Sequence, residues 1–362
     1  MKNKIEQNIK ELVLLPGLSG HEQLVSKCMK DKFTSLELDC KVDTLGNTIA
    51  KVDGTSGERT ILVTAHMDSL GLIVKNITED GFIKFERVGG IPEKTLPSLK
   101  VSIKTKYDTY VTGVIGVKSH HLTSQEDKYK VDKYQDLYID IGCDSIKQVK
   151  ELGIQIGSPI VYQPSFEKLY GDRITGTSFD NRLACAALVE LAERLKQNPA
   201  KATVYLAATV QEELTIRGAV TAATTCKPDL IICLDITMEG STPDLKGVNS
   251  IKLGDGPAIT LYNFHGRGTL NGTMAHPAAV RLLEKAADKL NIELQRVAMV
   301  GGLTELAYMQ VVNDGIAGID VDIPCRYTHS QVELADLNDV VSTINLVEEA
   351  VRLFDKDFSL ER

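Results

Sequence analysis

The sequence has no C-x-x-C pair, no basic run, no apolar stretch of membrane-spanning length, no internal repeat and no low-complexity tract. Each absence excludes a class of protein. The seven cysteines, at 28, 40, 143, 185, 226, 233 and 325, are scattered and odd in number. That argues against a disulfide framework or a cysteine zinc site. Cys185 and Cys233 fall in apolar runs and read as small core residues. The net charge is −8, from 41 basic and 49 acidic side chains. Without a basic patch, nucleic acid is a poor partner. A membrane span needs about 20 consecutive apolar residues, so no membrane association is expected. The opening residues, Met1 to Lys10, read as an amphipathic helix without a signal-peptide core. The expectation is a cytoplasmic protein.

What is present is an ordinary globular composition, 43% hydrophobic and 25% charged over 362 residues. That length suits two domains, or one large domain carrying an insertion. Helical spacing runs over 3–15 and is broken at Pro16-Gly-Leu-Ser-Gly20. Ser19-Gly-His-Glu22 has the pattern of a capping box that opens a second helix. Two short strands are expected within 41–52, and a buried strand over Thr60–Ala65 ends at His66-Met-Asp68. From about 70 to 163 short strand-like segments alternate with turn signals, the texture of a small β-rich domain. Ser119–Gln135 within it is polar and reads as an exposed loop. From Gly171 onward, helices and strands alternate, which implies a largely parallel sheet with helices on both faces. The fold class expected is α/β: a three-layer, mostly parallel sheet with an inserted β-rich domain. Residues 1–69 and 164–362 form the main domain and 70–163 the insertion.

Chemistry collects at the ends of the predicted strands. Thr60–Ala65 ends in His66 and Asp68, and Ala202–Val210 in Glu212 and Glu213. Leu230–Leu234 runs into Asp235, Ile316–Ile323 leads to His329, and Asp180 opens the helix after the insertion. In an open parallel sheet these ends share one rim. Each residue alone has an ordinary reading: a hydrogen-bonded core histidine, a helix-capping aspartate, two glutamates favoured by a helix dipole. Their joint occurrence on successive strands is harder to assign that way. Two imidazoles and several carboxylates suit divalent ions such as zinc, cobalt or manganese. More ligands than one ion needs point to two ions about 3.5–4 Å apart, bridged by a carboxylate. His66 and Asp68 lie two apart on an extended segment and face the same side, so Asp68 can accept the imidazole's other N–H and fix the ring. A spare glutamate then serves as general base.

The segments Ala65-His-Met-Asp68-Ser-Leu-Gly71, Phe179-Asp-Asn-Arg182, Thr209-Val-Gln-Glu-Glu213, Leu234-Asp-Ile-Thr237 and Arg326-Tyr-Thr-His-Ser330 resemble the M42 family of metallo-aminopeptidases. That family includes glutamyl aminopeptidases, tetrahedral aminopeptidases and proteins once labelled endoglucanase M. The likeness spans nearly the whole chain, Val88-Gly-Gly90 and Asp136–Gly142 of the insertion included. It implies that His66 and Asp235 bind one ion, Glu213 and His329 the other, and that Asp180 bridges both. It further implies Glu212 as general base on a metal-bound water, with Asp68 orienting His66.

The ions implied are two divalent metals per subunit, zinc or cobalt. The implied partner is a peptide substrate. The implied assembly is a homo-oligomer, up to a tetrahedral dodecamer, with dimers formed through a PDZ-like or β-barrel insertion. The function expected is removal of N-terminal residues from short peptides. The alternatives are a metal-dependent deacylase or amidohydrolase of small N-acyl substrates, or a non-catalytic assembly protein with a vestigial site. Two departures stand out. Gly301-Gly-Leu-Thr-Glu-Leu306 replaces a Gly-Gly-Gly-Thr-Asp-Ala type segment, and Ser69-Leu70 replaces Glu-Ile. The first is expected to alter the substrate pocket through Leu303 and Glu305. The sequence leaves open the native metal, the preferred N-terminal residue and the oligomer size.

Overall fold

The computed structural model describes residues 1–266 and 268–362. Among these the chain forms one 12-stranded sheet and one closed six-stranded barrel. Four strands make the centre of the sheet, in the order Thr203–Thr209, Thr60–His66, Leu230–Met238, Ala317–Arg326, and neighbours run parallel. All four therefore deliver their C-terminal ends to the same edge.

The sheet is mixed rather than mostly parallel. Asp39–Val42 pairs antiparallel with Thr48–Val52, which pairs antiparallel with Thr203–Thr209. On the far side Glu333–Asp336, Arg173–Gly176 and Phe166–Lys168 add antiparallel strands. Parallel neighbours need a long crossover, whereas strands a few residues apart can only fold back on each other. The turn at Leu45-Gly46-Asn47 and the short link between Arg326 and Glu333 therefore dictate antiparallel edges.

The central strands are buried on both faces, as their Val-, Ile- and Ala-rich runs require. Ile61, Val63 and Ala65 face a core built with helices Lys2–Val13, Gln23–Ser35, Phe179–Gln197 and Leu337–Leu353. The alternate residues Leu62, Ala207 and Ile231 pack against Arg217–Cys226 and the short helix Leu306–Met309. Helices thus cover both faces. The helix Leu306–Met309 is a single turn, because Gln310–Gly315 turns back to start the strand at Ala317. The capping box at Ser19–Glu22 does not form. The second helix starts at Gln23, and the Glu22 side chain bonds elsewhere.

The barrel is closed in the order Gly71–Ile77, Ile83–Val88, Ile139–Asp140, Tyr110–Ile115, Lys100–Lys104, Pro159–Tyr162. Leu72, Phe85, Val101, Ile103, Ile115 and Ile160 fill it as a separate core. Closure leaves few free strand edges. Residues 119–135 lie outside it as a largely exposed loop. No helix among the described residues is long and apolar enough to cross a membrane.

Candidate active site

The shared strand edge brings His66, Asp68, Asp180, Glu212, Glu213, Asp235 and His329 into one cluster. His66 closes its strand, and its Nε2 lies 3.1 Å from Asp180 Oδ1 and 3.9 Å from Asp235 Oδ1. The Nδ1 side faces Asp68, with the carbonyl at 3.3 Å and the carboxylate at 3.5 Å. His329 Nε2 lies 3.3 Å from Asp180 Oδ2 and 3.9 Å from Glu213 Oε2. Asp180 thus turns one oxygen to each imidazole. Asp235 lies inside its strand rather than after it, since that strand continues to Met238. Asp180 does not act as a simple helix cap. It and Asn181 depart from helical geometry at the start of Phe179–Gln197, and Asn181 Nδ2 donates to the Leu234 carbonyl at 2.8 Å.

The donor set fits divalent cations. His66, Asp180 and Asp235 offer ligand atoms within 4.8 Å of one another, and so do Asp180, Glu213 and His329. Glu213 Oε1 is buried with no hydrogen-bond partner. Burial and the neighbouring carboxylates push Glu212 and Asp235 well above the ordinary range and Glu213 up to about 7. Burial pulls His66 and His329 down, but the acids around them more than offset it, and both stand well above an ordinary histidine. Burial disfavours the Asp180 anion, yet hydrogen bonds from the two imidazoles hold it below the usual range. Acids this close resist ionising together, so protons occupy a cluster that cations would otherwise neutralise.

Two carboxylates hold the backbone here: Asp68, which sequence reasoning assigned only to His66, and Glu333, which it missed. Asp68, besides facing His66, accepts the Glu212 and Glu213 amides, each at 3.0 Å, on its two oxygens. Glu333, 2% exposed, accepts the Asp180 amide at 3.1 Å and the His329 amide at 2.8 Å. The Gly90 carbonyl lies 2.8 Å from His329 Nδ1, so the end of a barrel strand orients a site imidazole. Glu333 sits in a strand absent from the expected pattern, and no local spacing marks it.

The segment around Glu305 does not enlarge the cleft. That cleft is lined by Ser69, Leu70, Tyr162, Ser178, Asp180, Glu213, Ser330 and Glu333. Glu305 is 1% exposed and lies behind the site, where it accepts the Thr209 hydroxyl. Leu303 packs into the core beside Arg217–Cys226. The longer acid reaches inward to a strand and does not line the cleft.

Imidazoles and carboxylates that offer two cation-sized ligand sets at the rim of an α/β sheet have the make-up of a metal-dependent hydrolase site. A model of the family described as M42 glutamyl aminopeptidase matches residues 46–346. The lysyl aminopeptidase of Pyrococcus furiosus is 32% identical over 94% of this chain and 94% of its own. Aminopeptidase APDkam598 of Desulfurococcus kamchatkensis superposes with a TM-score of 0.91 at 31% identity, covering 98% of this chain and 96% of that one. The TET1 peptidase of Pyrococcus horikoshii, described as assembling into a tetrahedron or a large octahedral shell, gives 0.85 at 30%, with 97% and 100% covered. The chain belongs to the M42 family, and it is an aminopeptidase that hydrolyses peptide bonds.

Proposed function

We propose that this aminopeptidase uses two divalent ions, zinc or cobalt, with Glu212 as general base. The observation that carries the reading is the Asp180 carboxylate between the two imidazoles, one oxygen towards each. His66 and Asp235 would hold one ion, Glu213 and His329 the other, and Asp180 would belong to both. Bound there, the ions would polarise the scissile carbonyl and make water a nucleophile near neutral pH. Glu212 takes the proton of the attacking water and returns it to the leaving amine. Its raised proton affinity suits that exchange. Asp68 keeps His66 Nε2 facing the site and holds the Glu212–Glu213 turn. Glu333 holds the backbones of Asp180 and His329.

We assign residues 1–69 and 164–362 to a zinc-peptidase-type catalytic domain and 70–163 to a dimerisation barrel. The barrel and its loop expose Tyr107, Leu122, Tyr129 and Ile156, apolar surface suited to a second copy. With the tetrahedral assembly described for the TET1 relative, this supports a dodecamer built from dimers.

Substrate class is tested with aminoacyl p-nitroanilides against N-acyl amino acids, in the presence of divalent ion, following p-nitroaniline from the first and free amino acid from the second. Hydrolysis of the free-amine substrates alone is expected. Preference for the N-acyl compounds would replace the reading with a deacylase.

A further inference from the structure

The segment Pro16–Glu22 joins the first two helices and lies against the turn that carries Glu212 and Glu213. Leu18 forms a parallel bridge to Ser69. The Ser19 amide donates to the Ser69 carbonyl at 3.0 Å and the Ser69 amide to the Gly17 carbonyl at 2.9 Å. Glu22 occupies the N-cap position of helix Gln23–Ser35, yet its side chain caps none of that helix's amides. It is 4% exposed, and its Oε1 accepts the Gly20 amide at 2.6 Å and the Gln211 amide at 3.1 Å.

Gln211 is left-handed, with φ 59° and ψ 34°. A residue with a side chain seldom adopts that region unless its surroundings hold it there. The next two amides, of Glu212 and Glu213, end on Asp68. Three consecutive N–H groups of the turn are therefore taken by two buried carboxylates from separate parts of the chain. Carboxylate acceptors make short, directional bonds, so together they define the direction in which Glu212 leaves the strand.

We propose that Glu22 is a positioning residue for the catalytic base: by taking the Gln211 amide it fixes the turn that aims Glu212. This rests on the reading of Glu212 as the base. Helix capping is the competing role, and the bonding of the side chain runs against it. Glutamine keeps the accepting oxygen, so Glu22→Gln retains the function that Glu22→Ala removes.

The test uses the full-length, ion-supplied enzyme with an aminoacyl p-nitroanilide. Glu22→Ala is expected to lower kcat about ten- to a hundredfold with KM changed less than about twofold, since misplacement of a catalytic group acts on the chemical step. Glu22→Gln should restore most of kcat. Hydrogen–deuterium exchange over residues 209–216 should quicken in Glu22→Ala and not in Glu22→Gln, with bound-ion content unchanged. Phe33→Leu, in the core of the same helix, should lower Tm and leave kcat intact well below Tm. Wild-type kcat and exchange in Glu22→Ala would overturn the proposal, as would an equal loss of kcat in Phe33→Leu. If Glu212→Gln is itself fully active, the base reading fails first. If Glu212→Gln is inactive while Glu22→Ala is normal, only the role of Glu22 fails.

Discussion

Asp180 and Glu305 are both buried acids, and their surroundings send them in opposite directions. Asp180 has an imidazole at each oxygen and stays ionised. If it bridges two ions, Asp180→Ala should lose both, while His329→Ala should lose one. Metal analysis of dialysed protein checks this, against about two ions per subunit for the unaltered enzyme. Asp68→Asn should weaken ion binding about 10- to 100-fold, the usual cost of removing a carboxylate that orients a ligating imidazole. Titration with a competing chelator reads that change.

Glu305 has only the Thr209 hydroxyl on one oxygen and no partner on the other. Burial pushes its pKa to about 7 from an ordinary 4.5. A folded-state pKa above the unfolded one means that the native state holds the extra proton. Its stabilising effect is complete below about pH 4.5 and is lost as pH rises towards 7, a decline of about 3 kcal/mol at 1.36 kcal/mol per unit. Glu305→Gln should remove that decline from the stability–pH curve of the chelator-treated protein, as followed by urea unfolding.

At the scale of elements, the strand ends were legible because apolar runs stop at charged residues. The runs Thr60–Ala65, Ala202–Val210 and Leu230–Leu234 read as buried strands, and the strands Thr60–His66, Thr203–Thr209 and Leu230–Met238 found there carry their acids and imidazole to the rim. The antiparallel edges were less legible. Phe166–Lys168, Arg173–Gly176 and Glu333–Asp336 are three or four residues long, too short for alternation to show. Glu333 and its strand leave no local signal, and Glu22 fits a capping-box spacing that does not form, because their partners lie 153 and 189 positions away in sequence. Helix Phe179–Gln197 is the central packing element, and Leu188 is fully buried on it. Leu188→Ala should cost about 2–5 kcal/mol in denaturant unfolding. At the barrel's junction with the site, Gly89 has φ +92°, and a Cβ there would lie 2.8 Å from that of Leu70 and 3.4 Å from Glu213 Oε2. Gly89→Ala should lower kcat by displacing the loop that carries Gly90.

Over the whole molecule, the sheet supplies the rim and the barrel supplies one side of the cleft. Tyr162, at the end of a barrel strand, lines it, and Gly90 orients His329. The insertion is thus part of the site as well as the proposed contact between subunits. Light scattering should find a mass near that of a dodecamer of 39.6 kDa chains, and a monomer would contradict the proposed assembly. The change from helix–strand alternation to short strands marked the insertion in the sequence. The closure of its barrel, which pairs Leu72 with Ile160, involves positions too far apart for local pattern to reveal.

In the proposed mechanism Glu212 moves the proton beside five ion-ligating side chains, His66, Asp180, Glu213, Asp235 and His329. Steady-state kinetics of Glu212→Gln, with bound ion measured in the same samples, tests it most directly. The expected outcome is a kcat lower by about 10²- to 10⁴-fold, with ion content equal to that of the unaltered enzyme. Full activity in an ion-bound Glu212→Gln would contradict it.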